Sequence, residues 1–485
     1  MDSAYQLLEY AAQSWPERTA LIDEYGVMTY RELYVQSETL KKNLQQMGIS
    51  KGMGLAVMGR NGRAFIIAMF AGMGCGAVVV PLSHQLKSAE ITAILLDTGV
   101  HALLDDQSVA ASPTDYAIIF IALATQTLRF SWINRTLKVP LTPLTDAAFI
   151  RYTSGTTSSS KGVVLSHASI LARVAAASKA LQLDCDDVVL CILPMAFHFL
   201  VSILVYIRGG ATIIICKDLL AASLIKDANQ YHATMLYASP MHFRLLAADV
   251  SGKQMPSLKY AISTSSAIPA TIADAFLRRF NIPVTQAYGI IEAGLPLLDH
   301  LSGQSDPQSV GYPTAGFSVA LLDNENRPVP DGQVGRLAIR GAGLFDAYLK
   351  PWQTAAQVMD CGWFLTGDLA QRQIDGRVII CGREKTMINV SGNKAFPEEI
   401  EAVLNTHPDI VACRVFGQPH PLLGEVVCAE VVLTPLAKWD EEAVLYFCRQ
   451  RLSTYKVPQR MQTVSQISYT TSGKVKRVIS DVNLT

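Results

Sequence analysis

Short apolar runs alternate along this chain with amphipathic segments, and this alternation restricts the possible fold more than any other feature. Residues 211–216 are apolar almost throughout, and an amphipathic helix is predicted directly afterwards, over 219–231. The alternation begins earlier, with a helix predicted over 30–47 and a strand over 54–58. Strands that are apolar on both sides suit a mainly parallel sheet covered on both faces. The sequence therefore predicts a layered α/β protein.

The predicted secondary structure changes in the last third of the chain. From about residue 310 the predicted strands become shorter, with turn signals such as Asp375-Gly376, which indicates a small β-rich subdomain. A last unit follows, with helices predicted over 397–404 and 441–452. A chain of 485 residues is too long for one core. We predict a large N-terminal domain, 1–384, which includes the β-rich subdomain, and a small, mobile α+β C-terminal domain, 385–485.

Residues 65–82 carry no charge and are nearly long enough to span a bilayer. Three glycines interrupt this segment between positions 72 and 76, and β-branched residues then lead into Pro81. A buried helix, a tight turn and a buried strand explain this composition better than a transmembrane helix does. We therefore expect no membrane span.

Charge and cysteine content exclude several classes of protein. The chain has 41 basic and 41 acidic residues, so a general nucleic-acid or anionic-membrane surface is not expected. Nine cysteines are scattered without a C-x-x-C pair, which argues against a disulfide framework or a zinc site and fits a reducing compartment. The N-terminus shows no basic segment followed by an apolar one. We expect a cytoplasmic protein.

Residues 152–162 read Tyr-Thr-Ser-Gly-Thr-Thr-Ser-Ser-Ser-Lys-Gly and are flanked by apolar runs. Hydroxyls, backbone N–H groups and one lysine are the groups that bind a polyphosphate. The segment is not a Walker loop, because Lys161 is followed by Gly162 and a predicted strand rather than by Ser or Thr opening a helix. Taken alone, the segment could equally be a solvated Ser/Thr linker.

Four further clusters follow in order along the chain. They are Gln286-Ala-Tyr-Gly-Ile-Ile-Glu292, Gly362-Trp-Phe-Leu-Thr-Gly-Asp368, Gly382-Arg-Glu-Lys385 with the later Ser391-Gly392 turn, and Thr471-Ser-Gly-Lys474. Singly, each is an ordinary turn or helix start. Together with the Ser/Thr segment they closely resemble the motifs of the adenylate-forming superfamily, which includes acyl- and aryl-CoA ligases, peptide-synthetase adenylation domains and luciferases. The resemblance extends over residues 21–475.

The resemblance implies an ATP-dependent enzyme that uses Mg²⁺. A carboxylate would attack the α-phosphate of ATP, giving an acyl-adenylate and pyrophosphate, and the acyl group would pass to the thiol of CoA. ATP and Mg²⁺ would be needed together with CoA as co-substrate. The residues implied in nucleotide binding are Thr153, Ser154, Gly155, Thr156, Thr157 and Lys161 for the β- and γ-phosphates, Tyr288 and Gly289 for adenine, and Asp368 and Arg383 for the ribose.

The same resemblance implies the residues of catalysis and of domain motion. Glu292 would ligate Mg²⁺, and Lys474 would contact the carboxylate and the α-phosphate. Lys385 would be the hinge about which the small domain rotates between half-reactions. The Ser391-Gly392 turn would line the channel for the thiol.

Three positions depart from the pattern of the superfamily. Ser158 and Ser160 stand where a Gly and a Pro are usual, and Ile291 stands where a Thr or Ser usually precedes the metal-binding Glu. Isoleucine cannot donate a hydrogen bond to phosphate or carboxylate. An inactive relative that binds ATP is therefore an alternative, although Glu292 and Lys474 are both present.

The pocket for the acid is predicted from the segment 194–202, in which His198 follows an aromatic residue. Peptide-synthetase adenylation domains usually have an Asp in this segment that pairs with the ammonium of the amino acid. This chain has none there, so an amino-acid substrate is less expected. An aromatic-His pair is similar to the acyl- and aryl-CoA ligases, in which such a His gates the active site; otherwise His198 is a core histidine. An uncharged aryl or medium acyl acid suits a lining of small and apolar residues. The candidate lining residues are His198, Tyr237, Ser239, Ala267, Ile268, Ala287 and Ile291.

The acceptor of the acyl group is not determined by these motifs. CoA and the phosphopantetheine of a carrier protein require the same first half-reaction and the same channel. A stand-alone enzyme that loads a carrier protein, or an amine, is therefore the alternative to a carboxylate–CoA ligase.

Overall fold

The computed structural model of the protein describes residues 1–108, 118–134, 140–152, 161–299, 306–391, 393–420, 424–468 and 475. Thirteen α-helices lie within these ranges. They are α1 Gln6–Ser14, α2 Tyr30–Gln46, α3 Arg63–Gly74, α4 Ser88–Thr98, α5 His167–Leu181, α6 Met195–His198, α7 Ile203–Gly209, α8 Ala221–Gln230, α9 Pro240–Ala247, α10 Ala270–Phe280, α11 Ala355–Val358, α12 Pro397–Leu404 and α13 Glu441–Arg449.

Sixteen strands, β1 to β16, lie in the first two-thirds of the described chain, and the first two form a hairpin. They are β1 Thr19–Asp23, β2 Gly26–Thr29, β3 Gly54–Gly59, β4 Val78–Ser83, β5 Ala102–Asp105, β6 Ile118–Ala122, β7 Thr127–Trp132, β8 Ala147–Tyr152, β9 Gly162–Ser166, β10 Val188–Cys191, β11 Thr212–Ile215, β12 Met235–Ala238, β13 Tyr260–Ser263, β14 Val284–Ile290, β15 Gly294–Leu298 and β16 Tyr312–Pro313.

The remaining strands form the β-rich part and the C-terminal unit. They are β17 Phe317–Leu322, β18 Val334–Gly341, β19 Ala347–Tyr348, β20 Gln353–Thr354, β21 Phe364–Arg372, β22 Val378–Arg383, β23 Ile388–Val390, β24 Asn393–Ala395, β25 Ile410–His420, β26 Gly424–Leu433 and β27 Arg460–Thr463.

Two nine-stranded sheets form the large part of the molecule. The first has the order β16-β15-β14-β13-β12-β10-β11-β1-β2, and the second has the order β20-β19-β9-β8-β4-β3-β5-β7-β6. The first is parallel from β14 to β1, and the second is parallel from β8 through β4 and β3 to β5. Their edges are antiparallel. The predicted mainly parallel, layered α/β architecture is therefore confirmed for the centres of both sheets.

The two sheets share a central hydrophobic core, and each has a further core on its other face. Alternate residues of one strand point to different cores: Val189 and Cys191 of β10 belong to the central core, while Leu190 belongs to an outer one. Helices α1, α2, α3, α5 and α7 contribute to the central core, and α8–α10 cover the outer face of the first sheet. This layering explains why the predicted strands are apolar on both sides.

The charge-free segment forms the buried helix and strand that its composition predicts. Helix α3 is buried along nearly its whole length, and β4 is buried at each of its six positions. Gly76 lies between them with a left-handed φ of +71°, a conformation that favours glycine. In the described part of the chain, no helix is both long and apolar enough to cross a membrane.

The β-rich subdomain is a four-stranded antiparallel sheet, β17-β18-β21-β22, and the C-terminal unit has a five-stranded sheet with β23 to β27 and the helices α12 and α13. A short 3₁₀ turn, Glu384–Thr386, separates β22 from β23. The predicted boundary between residues 384 and 385 falls in this turn, and its role as a domain boundary stays a prediction.

Candidate active site

The predicted site residues gather where strands of the first large sheet end. Strands β10, β12, β13 and β14 are parallel, so their carboxyl ends lie at one edge of the sheet, which is where ligands bind in open α/β sheets. His198 follows β10, Ser239 follows β12, and Glu292 follows β14. From the second sheet, β8 and β9 bring Arg151 and Lys161 to the two sides of the Ser/Thr segment. We call the region between these strand ends and the residues beside the Ser/Thr segment the crevice. It is the candidate active site.

Asp368, Arg383 and Tyr288 form the first charged centre. Asp368 on β21 is paired with Arg383 on β22, and the Nε atom of Arg383 lies 2.8 Å from Oδ1 of Asp368. The hydroxyl of Tyr288 donates a hydrogen bond to the other carboxylate oxygen. Asp368 is buried. Burial and the nearby Asp368 charge together raise the pKa of Tyr288 well above its usual value. Three residues predicted to bind adenosine are thus in direct contact.

Glu292 forms the second charged centre. The hydroxyl of Tyr348 donates to Oε1 of Glu292 at 3.2 Å, and burial followed by the Glu292 charge raises the pKa of Tyr348. The ammonium of Lys161 lies 4.4 Å from the centre of the Tyr348 ring, a cation–π distance. Tyr348 therefore connects the lysine that follows the Ser/Thr segment to the carboxylate predicted to bind Mg²⁺.

Arg173, which the motifs did not indicate, holds the backbone that carries Glu292. Its buried guanidinium donates to the carbonyl of Ile291 at 2.8 Å, to that of Glu292 at 3.3 Å, and to that of Gly343 at 2.6 Å and 3.0 Å. Burial lowers the pKa of Arg173 to about 10. A signal was available in the sequence, because Arg173 lies on the same face of α5 as the apolar Ile170 and Ala177, which identifies a buried position.

Arg151 is a second cation that sequence reasoning missed. It lies on β8, on the same side as Phe149 of the central core. Its guanidinium donates to the carbonyl of Phe197, and its central carbon lies 5.2 Å from the centre of the Phe197 ring. Burial lowers the pKa of Arg151 to about 10, against the opposing effect of the Glu292 charge. Alternation along the strand is the sequence signal that this residue points inward.

The residues predicted to line the acid pocket divide between the two faces of the sheet. Tyr237 and Ala287 are buried in the central core, and the half-buried Ile291 packs against it. His198 is half-buried, whereas Ala267 is exposed. Ile268 packs instead in the outer core with α9 and α10. Its backbone nitrogen donates a hydrogen bond to Oε1 of Gln286 at 2.9 Å, which fixes the backbone in this position.

Two other predicted residues have contacts that account for their identity. The hydroxyl of Ser239 lies 2.8 Å from Nδ1 of His242 at the start of α9. A Cβ atom at Gly289 would lie 2.8 Å from the carbonyl of Gly294, so the close approach of β14 and β15 requires glycine there.

The remaining predicted residues lie in or beside the C-terminal unit, or outside the described ranges. Lys385 is in the 3₁₀ turn that follows β22, and Ser391 has a left-handed φ of +50° in the turn between β23 and β24. The predicted residues outside the described part of the chain are Thr153, Ser154, Gly155, Thr156, Thr157, Gly392 and Lys474.

The described residues contain no group of three or more His, Cys, Asp or Glu side chains that could hold a metal ion. A single oxygen ligand is compatible with Mg²⁺, which is usually held by one or two carboxylates together with substrate phosphates and water. The half-buried carboxylate of Glu292 fits that role.

Layered α/β sheets with paired charges at the carboxyl ends of parallel strands, followed by a small C-terminal unit, describe a class of enzyme that the family comparison identifies. The chain belongs to the AMP-binding enzyme family: residues 8–349 match its main domain, and residues 399–474 match the AMP-binding enzyme C-terminal domain. The resemblance inferred from the five motifs is therefore confirmed.

Individual relatives align over almost the whole chain. The chain is 28% identical to sulfoacetate–CoA ligase of Cupriavidus necator, over 98% of this chain and 97% of the relative. It is 29% identical to the fatty acid–[acyl-carrier-protein] ligase ScoC of Streptomyces coeruleorubidus, over 98% and 95%. The solved structure of the anthranilate CoA ligase AuaEII with anthranoyl-AMP matches with a TM-score of 0.83 at 21% identity, covering 98% of this chain and 96% of that one. This last match confirms the fold.

Proposed function

We propose that the protein is an AMP-forming carboxylate–CoA ligase. In the first half-reaction an oxygen of the carboxylate attacks the α-phosphorus of ATP, and the bond to pyrophosphate breaks. In the second half-reaction the thiolate of CoA attacks the acyl carbonyl, and AMP leaves with the electron pair of the broken C–O bond. Membership of the family, together with similarity to named CoA ligases over the whole chain, supports this reaction.

The observation that carries the proposal is the Asp368–Arg383–Tyr288 centre. A buried carboxylate that already accepts a tyrosine hydroxyl and a guanidinium is a strong acceptor in a fixed position. Such an acceptor suits a pair of ribose hydroxyls, and Tyr288, which contacts Asp368, would contact the base. Gly289 continues the same strand, and adenosine binding is assigned to these four residues in the proposal.

The negative charge of the ATP phosphates would be balanced at the Glu292 centre. Glu292 would hold Mg²⁺, which supplies positive charge to the phosphate oxygens when it is bound. Lys161 would contact the β- and γ-phosphates with the segment 153–157, and Lys474 would contact the reacting carboxylate and the α-phosphate. His198 would gate entry to the active site. Lys385 would be the hinge, and the Ser391-Gly392 turn would line the channel for the thiol.

A carrier protein is the second candidate acceptor. One relative of 29% identity is named as a ligase of fatty acids to acyl carrier protein, and phosphopantetheine presents the same thiol as CoA does. The named acids of the relatives, sulfoacetate and fatty acids, differ so widely that similarity alone selects no acid for this chain.

A pyrophosphate-release screen tests the proposed function. The enzyme is incubated with ATP, Mg²⁺ and a panel of carboxylic acids, with CoA, with a phosphopantetheinylated carrier protein or with neither, and thioesters are identified by mass spectrometry. We expect acid-dependent pyrophosphate release and an acyl-CoA product. Thioester only on the carrier protein would favour the second candidate. ATP binding without pyrophosphate release for any acid would show the inactive relative instead.

A further inference from the structure

The crevice contains a cation that the proposed reaction leaves without a partner. Arg151 lies on strand β8, directly before the Ser/Thr segment, and its side chain reaches α6, which follows β10 of the other sheet. There it meets Phe197, the residue before His198, both through the ring and through the backbone carbonyl. Arg151 therefore lies on the side of the crevice that the proposed function assigns to the acid.

The hydrogen-bonding capacity of Arg151 is largely unused. A guanidinium has five N–H donors, and within the described ranges the side chain of Arg151 donates to one acceptor, the carbonyl of Phe197. Its Nε atom is buried and has no hydrogen-bond partner among those residues. A buried donor without an acceptor is costly, and it is retained where a ligand completes it.

The charge of Arg151 is also incompletely balanced. With a pKa of about 10 the guanidinium stays protonated at neutral pH, and the carboxylate whose charge acts on it is Glu292. The proposed function uses the charge of Glu292 to hold a metal ion. A half-buried guanidinium with a buried Nε atom would then be stabilised by another anion, since an uncompensated charge away from water is unfavourable.

We propose that Arg151 binds a second anionic group of the acid substrate, so that the enzyme acts on aryl or medium-length acids bearing a further carboxylate or sulfonate. This assignment rests on the proposed function. The planar fork of a guanidinium matches the two oxygens of such a group, and its stacking on Phe197 fixes the orientation of the fork.

The nucleotide is the other possible source of an anion, and the directions of the two cations favour the acid. Lys161 is directed towards Tyr348 and Glu292, where the triphosphate is proposed to bind. Arg151 instead donates to the carbonyl of Phe197 in α6, next to His198 of the predicted acid pocket. These different contacts assign Lys161 and Arg151 to different anions.

Matched pairs of acids test this assignment. Butyrate and succinate, hexanoate and adipate, and benzoate and terephthalate are compared by kcat/KM for pyrophosphate release with wild type, Arg151→Met and Arg151→Lys. In at least one pair, wild type is expected to favour the dianionic acid by about ten- to hundredfold, the range for hydrogen bonds to a charged group. Arg151→Met should lower kcat/KM for the dianion far more than for the monoanion and so lose this preference, and Arg151→Lys should keep part of it.

A matched control removes the same charge elsewhere. Arg340 also stacks on an aromatic ring, with its central carbon 4.8 Å from the centre of Trp363, but it lies on the four-stranded sheet. Arg340→Met should leave the preference between acids unchanged. Folding of each variant is checked by circular dichroism.

Binding measured without turnover separates this assignment from the proposed reaction. The affinity of each acid is measured by calorimetry with α,β-methylene-ATP, for wild type and Arg151→Met. Tighter binding of dianions that depends on Arg151, without pyrophosphate release, would leave the assignment standing and overturn the reaction. Equal binding and turnover of both members of every pair by wild type would overturn the assignment. So would an Arg151→Met defect that falls on the KM for ATP or equally on both acids of a pair.

Discussion

At the scale of single residues, the carboxylates of Asp368 and Glu292 differ in how many hydrogen-bond and ion-pair partners they have. Both oxygens of Asp368 have partners, Arg383 and Tyr288, before any ligand is considered. Glu292 accepts one hydrogen bond from Tyr348. A carboxylate with fixed partners suits recognition of a neutral group such as ribose, whereas a more open one suits a metal ion. This difference supports the assignment of Asp368 to the nucleoside and of Glu292 to Mg²⁺.

Asp368→Asn should weaken the use of ATP without changing which acid is preferred. The amide keeps the shape of the carboxylate but removes the charge that Arg383 faces, and hydrogen bonds to a charged acceptor contribute roughly 1.5–3 kcal/mol. The KM for ATP should therefore rise by about tenfold or more. The measurement is steady-state kinetics for ATP and for three acids. A change in the order of preference among acids would place Asp368 in the acid pocket and contradict the assignment.

At the scale of secondary-structure elements, helix α5 connects the strand next to Lys161 with the turn of Glu292. It begins directly after β9, where the N–H and hydroxyl of Ser166 contact Asp346 at 2.6 Å and 3.1 Å. Two turns later it presents Arg173 to the carbonyls around Glu292. One helix thus fixes both the strand that follows Lys161 and the turn that carries Glu292.

Arg173→Met should raise the Mg²⁺ concentration needed for half-maximal activity, because the turn of Glu292 loses its hydrogen-bond donors. It should also lower the free energy of unfolding by on the order of 3 kcal/mol, since several buried carbonyls lose their partner. Both quantities are measured by Mg²⁺ titration and urea unfolding.

The control for Arg173 is Arg129→Met. Arg129 is a mostly buried arginine that pairs with Asp105 at 3.0 Å on the second sheet. This variant should lose stability but keep the Mg²⁺ requirement of wild type. An equal shift in the Mg²⁺ requirement for both variants would mean that Arg173 acts on stability alone.

Helix α9 should make the stability of the protein depend on pH. Burial lowers the pKa of His242 to about 4, and its Nδ1 atom contacts the hydroxyl of Ser239. Because the unfolded pKa is about 6.5, the neutral ring stabilises the fold above that pH, and this contribution is lost as the pH falls towards 4. Between pH 7.5 and pH 5 the loss should be roughly 2 kcal/mol. Urea unfolding of wild type and His242→Gln at both pH values checks this, and equal pH dependence of the two proteins would contradict it.

At the scale of the whole molecule, the small C-terminal unit is proposed to take part in one half-reaction at a time. Lys474→Ala should abolish adenylate formation, with a loss of about a hundredfold or more, because a charged contact to the transition state is removed. Thioester formation from supplied acyl-AMP and CoA should remain largely intact. The two half-reactions are measured separately, by pyrophosphate release and by acyl-CoA production. Equal losses in both would contradict a mechanism in which the domains alternate.

Much of the fold was predictable because it follows local patterns. The strand predicted over 54–58 is one residue longer in the structure, Gly54–Gly59, and the helix over Pro397–Leu404 begins and ends where the sequence predicts. The family was predictable because its motifs are short, ordered and chemically distinctive. Pairing of distant strands was not predictable, since apolar strands of similar length are interchangeable by composition.

The site was predictable only where a motif marks it. Asp368, Arg383 and Tyr288 come from two motifs, and their mutual contact depends on pairing between β21 and β22 and on packing against β14. Arg151 and Arg173 lie outside every motif. Strand alternation and the face of α5 indicate that both point inward, but only the tertiary structure shows which carbonyls their guanidinium groups contact.

The most direct test of the central claim uses a carboxylic acid whose carboxylate oxygens are labelled with ¹⁸O. Attack of that carboxylate on the α-phosphorus, followed by thiolysis, leaves one carboxylate oxygen on AMP. Mass spectrometry of the products should therefore find AMP with one ¹⁸O atom, unlabelled pyrophosphate and acyl-CoA. Unlabelled AMP, or ADP and phosphate in place of AMP and pyrophosphate, would contradict acyl-adenylate formation by this protein.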